Sequence, residues 1–484
     1  MPNKLTLNFP SHTQNTKNQA EELAKSAKIF LGRMFKEDFS EIQNISKIES
    51  IYRSYSPNFL INFLDNLTYT TSWGWGADFT AARENLRQFY QLDSSHQLEI
   101  FFYLVDQNNL DDPSKKLLTQ LVHIDGNEAD LSRASFHRED RSDLFNFLDK
   151  SIQKINLAYS DVLTGDLSTI SRRCPDLQEL NLMKCSALIN LQNLKFPELK
   201  ELNLASTGIN ISSVVKTLST LAPKLETLIL SDTYLKDSSF SFKTLAEQAP
   251  HLKTLVISSN QELSTKGLND LTAQDLPQLR VLYLNQRENV SAKDLLFFSS
   301  THPQLTHLSF SATNFKDKDF SQLAHSCKGL EELKLWDCKN IQGDSLKEFA
   351  LNCPKLKIFS ATHLEQVKEE EVINFLNPPK PSQALPLESL SLMGAKHLTD
   401  SSLSALEALK NLKHLSLAFC ENISNKGIAS LKQIKTLEEL DLRGLDISIE
   451  AINELKRNLP NLKKIILPDD TLLSMETNDP GNTS

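Results

Sequence analysis

Cysteine and glycine are scarce in this chain, and long apolar runs are missing. Only 6 cysteines occur in 484 residues, and none forms a C-x-x-C pair, which fits a reducing compartment and argues against a disulfide framework. No apolar run approaches the roughly 18–20 residues that a bilayer span requires. The opening stretch MPNKLTLNFPSHTQNTKNQ lacks the apolar core and small-residue cleavage site of a Sec-type signal. With 13 glycines, no glycine-rich nucleotide loop is written, and residues 1–135 contain no G-x-x-x-x-G-K-[ST], H-E-x-x-H or G-x-S-x-G. Basic runs are absent too. With a net charge of −9, neither nucleic acid nor a membrane surface is an expected partner. What remains is an ordinary globular balance, 40% hydrophobic and 23% charged, in a chain too long for one core. The expectation is a soluble, cytoplasmic, non-enzymatic protein with no cofactor and no metal.

What is present is a repeat. The pattern L-x-x-L-x-L, with other apolar residues allowed, starts at Ile152, Leu177, Leu199, Leu225, Leu252, Leu279, Leu305, Leu330, Leu356, Leu387, Leu412, Leu437 and Leu462. Successive starts lie about 26 residues apart, within the spacing of leucine-rich repeats. In each L-x-L both leucines point to one side of a short strand and the residue between them to the other. Helical stretches such as DSLKEFALNC and DSSLSALEAL follow. A proline two residues before the next leucine then ends each helix, at Pro175, Pro197, Pro223, Pro250, Pro277, Pro303, Pro354 and Pro460. One such unit cannot bury both of its faces, so stability requires stacking. The predicted fold is α/β: a leucine-rich-repeat horseshoe solenoid with parallel strands on the concave face and helices on the convex face, preceded by an all-α N-terminal domain.

All six cysteines fall in two slots of the repeat. Cys185, Cys338 and Cys420 lie five residues after a middle leucine, and Cys174, Cys327 and Cys353 three residues before a first leucine. Both slots are expected to be buried. The segments CKGLEELKLWDCKNIQGDSLKEFALNCPKL and LTDSSLSALEALKNLKHLSLAFCENISNKGIASL resemble the cysteine-containing subfamily of leucine-rich repeats found in F-box/leucine-rich-repeat proteins. The resemblance covers roughly residues 150–467 and implies a scaffold rather than one function. Two sharper readings are set against packing: a catalytic thiol in Cys174-Pro175-Asp176, and zinc held by His325, Cys327, Cys338 and Cys353. The return-loop context and the absence of paired ligand spacing favour packing.

The domain reading places a helical domain at 1–135, the repeats with a helical cap at 136–473 and a disordered tail at 474–484. The cap is expected to begin at Asp143–Leu148. Trp73-Gly74-Trp75-Gly76 reads as a packed turn, with a partner anchor as the alternative. The resemblance implies an N-terminal F-box. Its best match is Ile100-Phe101-Phe102-Tyr103-Leu104, where Ile100, Phe101, Tyr103 and Leu104 follow the I-F-x-Y-L core, although Asp93 stands where the motif has proline. The insertion Asn377–Pro386 carries four prolines and reads as an extended surface loop.

Outward strand positions supply the candidate protein-binding residues: Tyr283, His307, Lys334, Trp336 and Met393, with Phe419 at the rim. A strand imposes no demand for large aromatics there, and such residues dominate binding hot spots. Small serines beside them are expected to leave room for an inserted side chain. The leading function is an adaptor that binds a protein partner on the concave face. Alternatives are an F-box-like substrate receptor joined to a ubiquitin ligase scaffold, and an enzyme with an unrecognised site in the helical domain. Richness in Asn and Lys would suit a bacterial effector secreted into a host cytosol.

Overall fold

The computed structural model describes residues 150–285, 290–312, 314–343, 345–377 and 385–467, together with 124–125, 127–132, 145, 148 and 472–474. The chain divides into two compact units, Met1–Asn210 with Thr217–Leu225 and Ile211–Lys216 with Glu226–Ser484.

In the first unit, β1 (Ile124–Asp125) and β2 (Glu128–Asp130) pair antiparallel. From β2 onward the strands run parallel through β3 (Lys154–Asn156), β4 (Glu179–Asn181) and β5 (Glu201–Asn203). Ala129, Ile155, Leu180 and Leu202 stand in register along this row, each at most 2% exposed. β1 and β2 lie inside the segment expected to be all-α, so the sheet begins before residue 135. The reason is local: Ala129-Asp130-Leu131 alternates like L-x-L but has alanine in the middle slot, so it lacks the leucine signature. The Leu131 N–H still donates to the Asn156 carbonyl at 2.7 Å. Where the helical cap was expected, Phe145 and Leu148 are both fully buried. The helix α1 (Thr164–Arg173) buries Leu167 and Ile170, opens with Asp166 accepting from the Leu163 N–H at 2.8 Å, and closes with Arg172 and Arg173. Acid first and base last suits the helix dipole.

The second unit repeats the strand ten times: β6 (Thr227–Ile229), β7 (Thr254–Val256), β8 (Val281–Leu284), β9 (His307–Ser311), β10 (Glu332–Trp336), β11 (Ile358–Ala361), β12 (Ser389–Ser391), β13 (His414–Ser416), β14 (Glu439–Asp441) and β15 (Lys464–Ile466). Each is parallel to the next, and β16 (Leu472–Ser474) returns antiparallel on β15. Every L-x-x-L-x-L copy read from the sequence supplies one strand, β3 to β15. The middle apolar residues stack in register from Leu228 to Ile465, so each leucine packs between two equivalents. Two residues before the middle apolar position, partly exposed charges alternate from strand to strand: Glu331 with Lys357, Glu388 with Lys413 and Glu438 with Lys463 pair at 2.5–2.8 Å. Such surface pairs add little stability but penalise a slipped register.

Helices α2 (Phe242–Gln248), α3 (Ala292–Thr301), α4 (Asp317–Ser326), α5 (Leu346–Asn352), α6 (Glu369–Leu376), α7 (Asn425–Ser430) and α8 (Ile449–Asn458) follow individual strands. Serine hydroxyls cap α2, α3, α7 and α8 by accepting a backbone N–H of the first turn. DSSLSALEAL, read as helical, forms a 3₁₀ turn over Ser402–Ala408. There the Ser402 and Ser404 hydroxyls each donate to the carbonyl three residues back at 2.7 Å, competing with the α pattern. All eight return-loop prolines are exposed, each following a buried residue that ends the helix or turn before it. Between strands and helices Phe310, Phe315, Phe320 and Phe349 form a buried cluster with centroids 4.7–6.3 Å apart.

Candidate functional site

The strand face turned away from the leucine core presents three outward positions per repeat. In the second unit the candidate residues share it without forming one cluster. Tyr283 on β8, Ser309 on β9 and Lys334 on β10 stand in register. Because Ser309 is small, the Tyr283 hydroxyl reaches past it and donates to Glu332 Oε1 at 2.5 Å. Lys334 Nζ lies 3.0 Å from the same carboxylate oxygen and 6.0 Å from the centre of the Tyr283 ring. Burial pushes the Tyr283 phenol well above its usual range, and the Glu332 carboxylate reinforces the shift, so the hydroxyl remains a donor. Tyr283 and Lys334 therefore serve a network within the face. His307 sits beside them on β9, its Nδ1 2.8 Å from the Thr306 hydroxyl.

Trp336 ends β10 and is 39% exposed. Its register partner Ser311 is 4% exposed, and Ser309 only 1%. Both serines are buried, and beside Ser309 the Tyr283 side chain takes up the space on its way to Glu332. Met393 is half-buried just beyond β12. On β14 the Arg443 guanidinium grips Asp441 with two bonds of 3.0 and 2.9 Å, and Ser416 donates to the same carboxylate at 3.0 Å. Burial is the largest single influence and would raise the Asp441 carboxyl, but the Arg443 guanidinium and N–H and the Ser416 hydroxyl together hold it below the usual range.

A row that strand periodicity does not announce runs along the rim. One residue past the last outward position, the chain enters the left-handed region at Asp337 (φ 53), His363 (φ 57), Gly394 (φ 71), Phe419 (φ 58) and Gly444 (φ 72). The N–H groups of His363, Gly394 and Phe419 each donate to the next repeat's carbonyl, at 2.8–3.0 Å. This bend ends the strands after a few residues. His363 Nδ1 lies 3.0 Å from Asp337 Oδ1. Phe419 is 51% exposed, and its ring rests where any Cβ on Gly444 would sit. Sequence reasoning found Phe419 but missed His363 and the Asp441–Arg443 fork; the recurrence of Asp, Ser, His and Gly at the rim slot was the available signal.

In the first unit the same face carries a polar ladder. Asn156 donates to Asp130 at 3.1 Å and Asn181 to Asn156 at 3.0 Å. Asn156, Asn181 and Asn203 each also accept from the backbone N–H two residues on. These bonds tie the outward asparagines to their own turns and to the neighbouring repeats.

All six cysteines are buried and unbridged. Cys185 and Cys420 donate to the Leu157 and Leu392 carbonyls at 3.1 and 3.2 Å. Cys174, Cys327 and Cys353 end α1, α4 and α5. Burial pushes the thiols of Cys327 and Cys420 up to about 11 and that of Cys353 up to about 12; it raises Cys185 and Cys338 as well. Protonated thiols are poor nucleophiles and metal ligands. His325, beside them in sequence, is exposed with Nε2 4.0 Å from Glu348. Among the described residues no group of His, Cys, Asp and Glu could hold a metal, and no helix is long and apolar enough to cross a membrane. Ile100, Phe101, Tyr103 and Leu104, Trp73 to Gly76, the prolines at 378–381 and the tail after 474 lie outside the described residues.

A family model described as Leucine Rich repeat matches residues 248–271 and 408–432, two of the strand-bearing repeats above. The chain carries leucine-rich repeats. It resembles F-box/leucine-rich-repeat proteins: it is 30% identical over 170 residues to F-box/LRR-repeat protein 4 of Bos taurus and 29% identical over 170 residues to F-box protein SKIP1 of Arabidopsis thaliana. Those matches cover 34% and 33% of this chain and only 27% and 49% of the relatives' own lengths. A chain of the yeast Rad7 and Elc1 complex superposes with TM-score 0.48 at 18% identity, over 86% of this chain and 96% of that one. A protein-interaction role is the coarse function this repeat architecture supports.

Proposed function

We infer that the leucine-rich-repeat protein is a non-enzymatic adaptor whose protein partner docks on the strand face of the second unit, near Trp336. One observation carries this reading: Trp336 is 39% exposed at an outward position of β10, where its backbone pairs with β9 but its indole ring stands outside the leucine core. Large aromatics placed this way supply most of the energy of protein interfaces. Photo-crosslinking residues placed separately at Met393, on the strand face, and at Leu351, exposed on α5, test it. The reading expects the partner to crosslink from position 393 and not from 351. Crosslinks from 351 alone contradict it.

The two F-box relatives favour a second reading, a substrate receptor whose N-terminal part joins a ubiquitin ligase scaffold. Co-purification of the full chain with ligase scaffold subunits is its test. Failure of the wild-type chain to bind any of them rejects the receptor while leaving the adaptor standing.

A further inference from the structure

Ser311 closes β9 in register with Trp336. The residue is 4% exposed, and among the described residues its hydroxyl meets no hydrogen-bond partner. A buried hydroxyl left without a partner is costly, and a ligand's polar group can supply the missing bond. The Trp336 indole N–H also lacks a partner among the described residues, while its ring is 39% exposed. Two neutral hydrogen-bonding groups thus belong to register partners at an exposed apolar ring.

Four ion pairs already match charges on the same face, and His307 faces the Thr306 hydroxyl rather than an acid. Lys334 lies 3.0 Å from Glu332, His363 3.0 Å from Asp337, His414 3.4 Å from Glu439 and Arg443 2.9 Å from Asp441. An anionic ligand would have to displace a carboxylate to reach any of these cations, and a cationic one would have to displace a cation. The face therefore complements an uncharged segment.

We propose that the surface at Trp336 and Ser311 takes a neutral segment of a partner's chain, gripped by one backbone amide and one large apolar side chain. The segment's carbonyl accepts from the Trp336 indole N–H, its amide N–H donates to Ser311 Oγ, and its side chain lies on the indole. This rests on the strand face being the docking face.

The test selects binders to the full chain from a phage-displayed library of random peptides and titrates one synthesised winner. The expected winner is uncharged around an aliphatic or aromatic residue. Its affinity should fall about 30-fold with Trp336→Ala, and about five-fold with either Ser311→Ala or Trp336→Phe, which keeps a ring but loses the donor. Raising NaCl from about 50 to about 500 mM should change it less than about two-fold. Acidic winners that weaken about ten-fold with salt, yet are lost with Trp336→Ala, overturn the neutral chemistry and leave strand-face docking intact. Unchanged binding to Ser311→Ala overturns the amide grip. Peptides that bind Trp336→Ala as tightly as wild type, or no enrichment at all, overturn both.

Discussion

Asn260 fills the slot that cysteine fills at positions 185, 338 and 420. It is 1% exposed, donates to the Leu230 carbonyl at 2.9 Å and accepts from the Thr233 and Leu235 N–H groups at 3.1 Å. Each slot residue that reaches the preceding repeat relieves a carbonyl that strand pairing leaves over. Asn260→Ala is expected to cost about 3 kcal/mol, since several buried partners lose their bonds. Asn260→Cys keeps one donor and should cost less; denaturation midpoints of the two variants check the order. Asp275 gives a pH signature. The Lys243 ammonium 2.7 Å away and the Thr272 N–H hold its carboxyl at about 2, below the ordinary 3.8. The stability this adds is present above about pH 4 and is lost as pH falls toward about 2. Asp275→Asn should flatten that part of the melting-temperature profile, and an unchanged profile contradicts the pairing. Sequence spacing alone places the cysteines inside, because slot and burial share one period. It does not reveal which carbonyl each slot residue serves, since that depends on the neighbouring repeat.

At the scale of the element, L-x-x-L-x-L marks each strand from β3 to β15, because alternation decides which side chains reach the core. β1 and β2 are hidden by alanine at position 129, and the 3₁₀ turn over Ser402–Ala408 is hidden because apolar spacing does not register hydroxyls that bond the backbone. Rim geometry is equally silent: Gly444 is readable as a glycine but not as the floor beneath Phe419. Two facts converge on it, a φ of 72 and the Phe419 ring at the position of a Cβ. Gly444→Ala should destabilise by about 1–2 kcal/mol from left-handed backbone strain. It should also displace the Phe419 ring, read as a shift of its ring proton resonances. A variant as stable as wild type with those resonances unmoved contradicts the rim geometry.

For the molecule as a whole, both cysteine slots belong to the stacked core, so their thiols report on the stack. All six are buried. Native protein should show almost no rapid reaction with an aromatic disulfide reagent, and all 6 cysteines of the sequence should react after denaturation. Fast native reaction of several would mean that the repeats do not stack in this register. The outward strand face was legible as a list of positions, because that follows from strand direction. Which of those residues remain available was not legible, because Tyr283 and Lys334 are drawn into the Glu332 network across strands.

The most direct measurement compares two exposed residues of similar accessibility on opposite elements: Trp336 at 39% on β10 and Leu351 at 46% on α5. Binding of one partner protein is titrated against wild type, Trp336→Ala and Leu351→Ala. Strand-face docking predicts that Trp336→Ala weakens binding by about 2 kcal/mol or more while Leu351→Ala leaves it within about 0.5 kcal/mol. Loss with Leu351→Ala and none with Trp336→Ala would contradict the account.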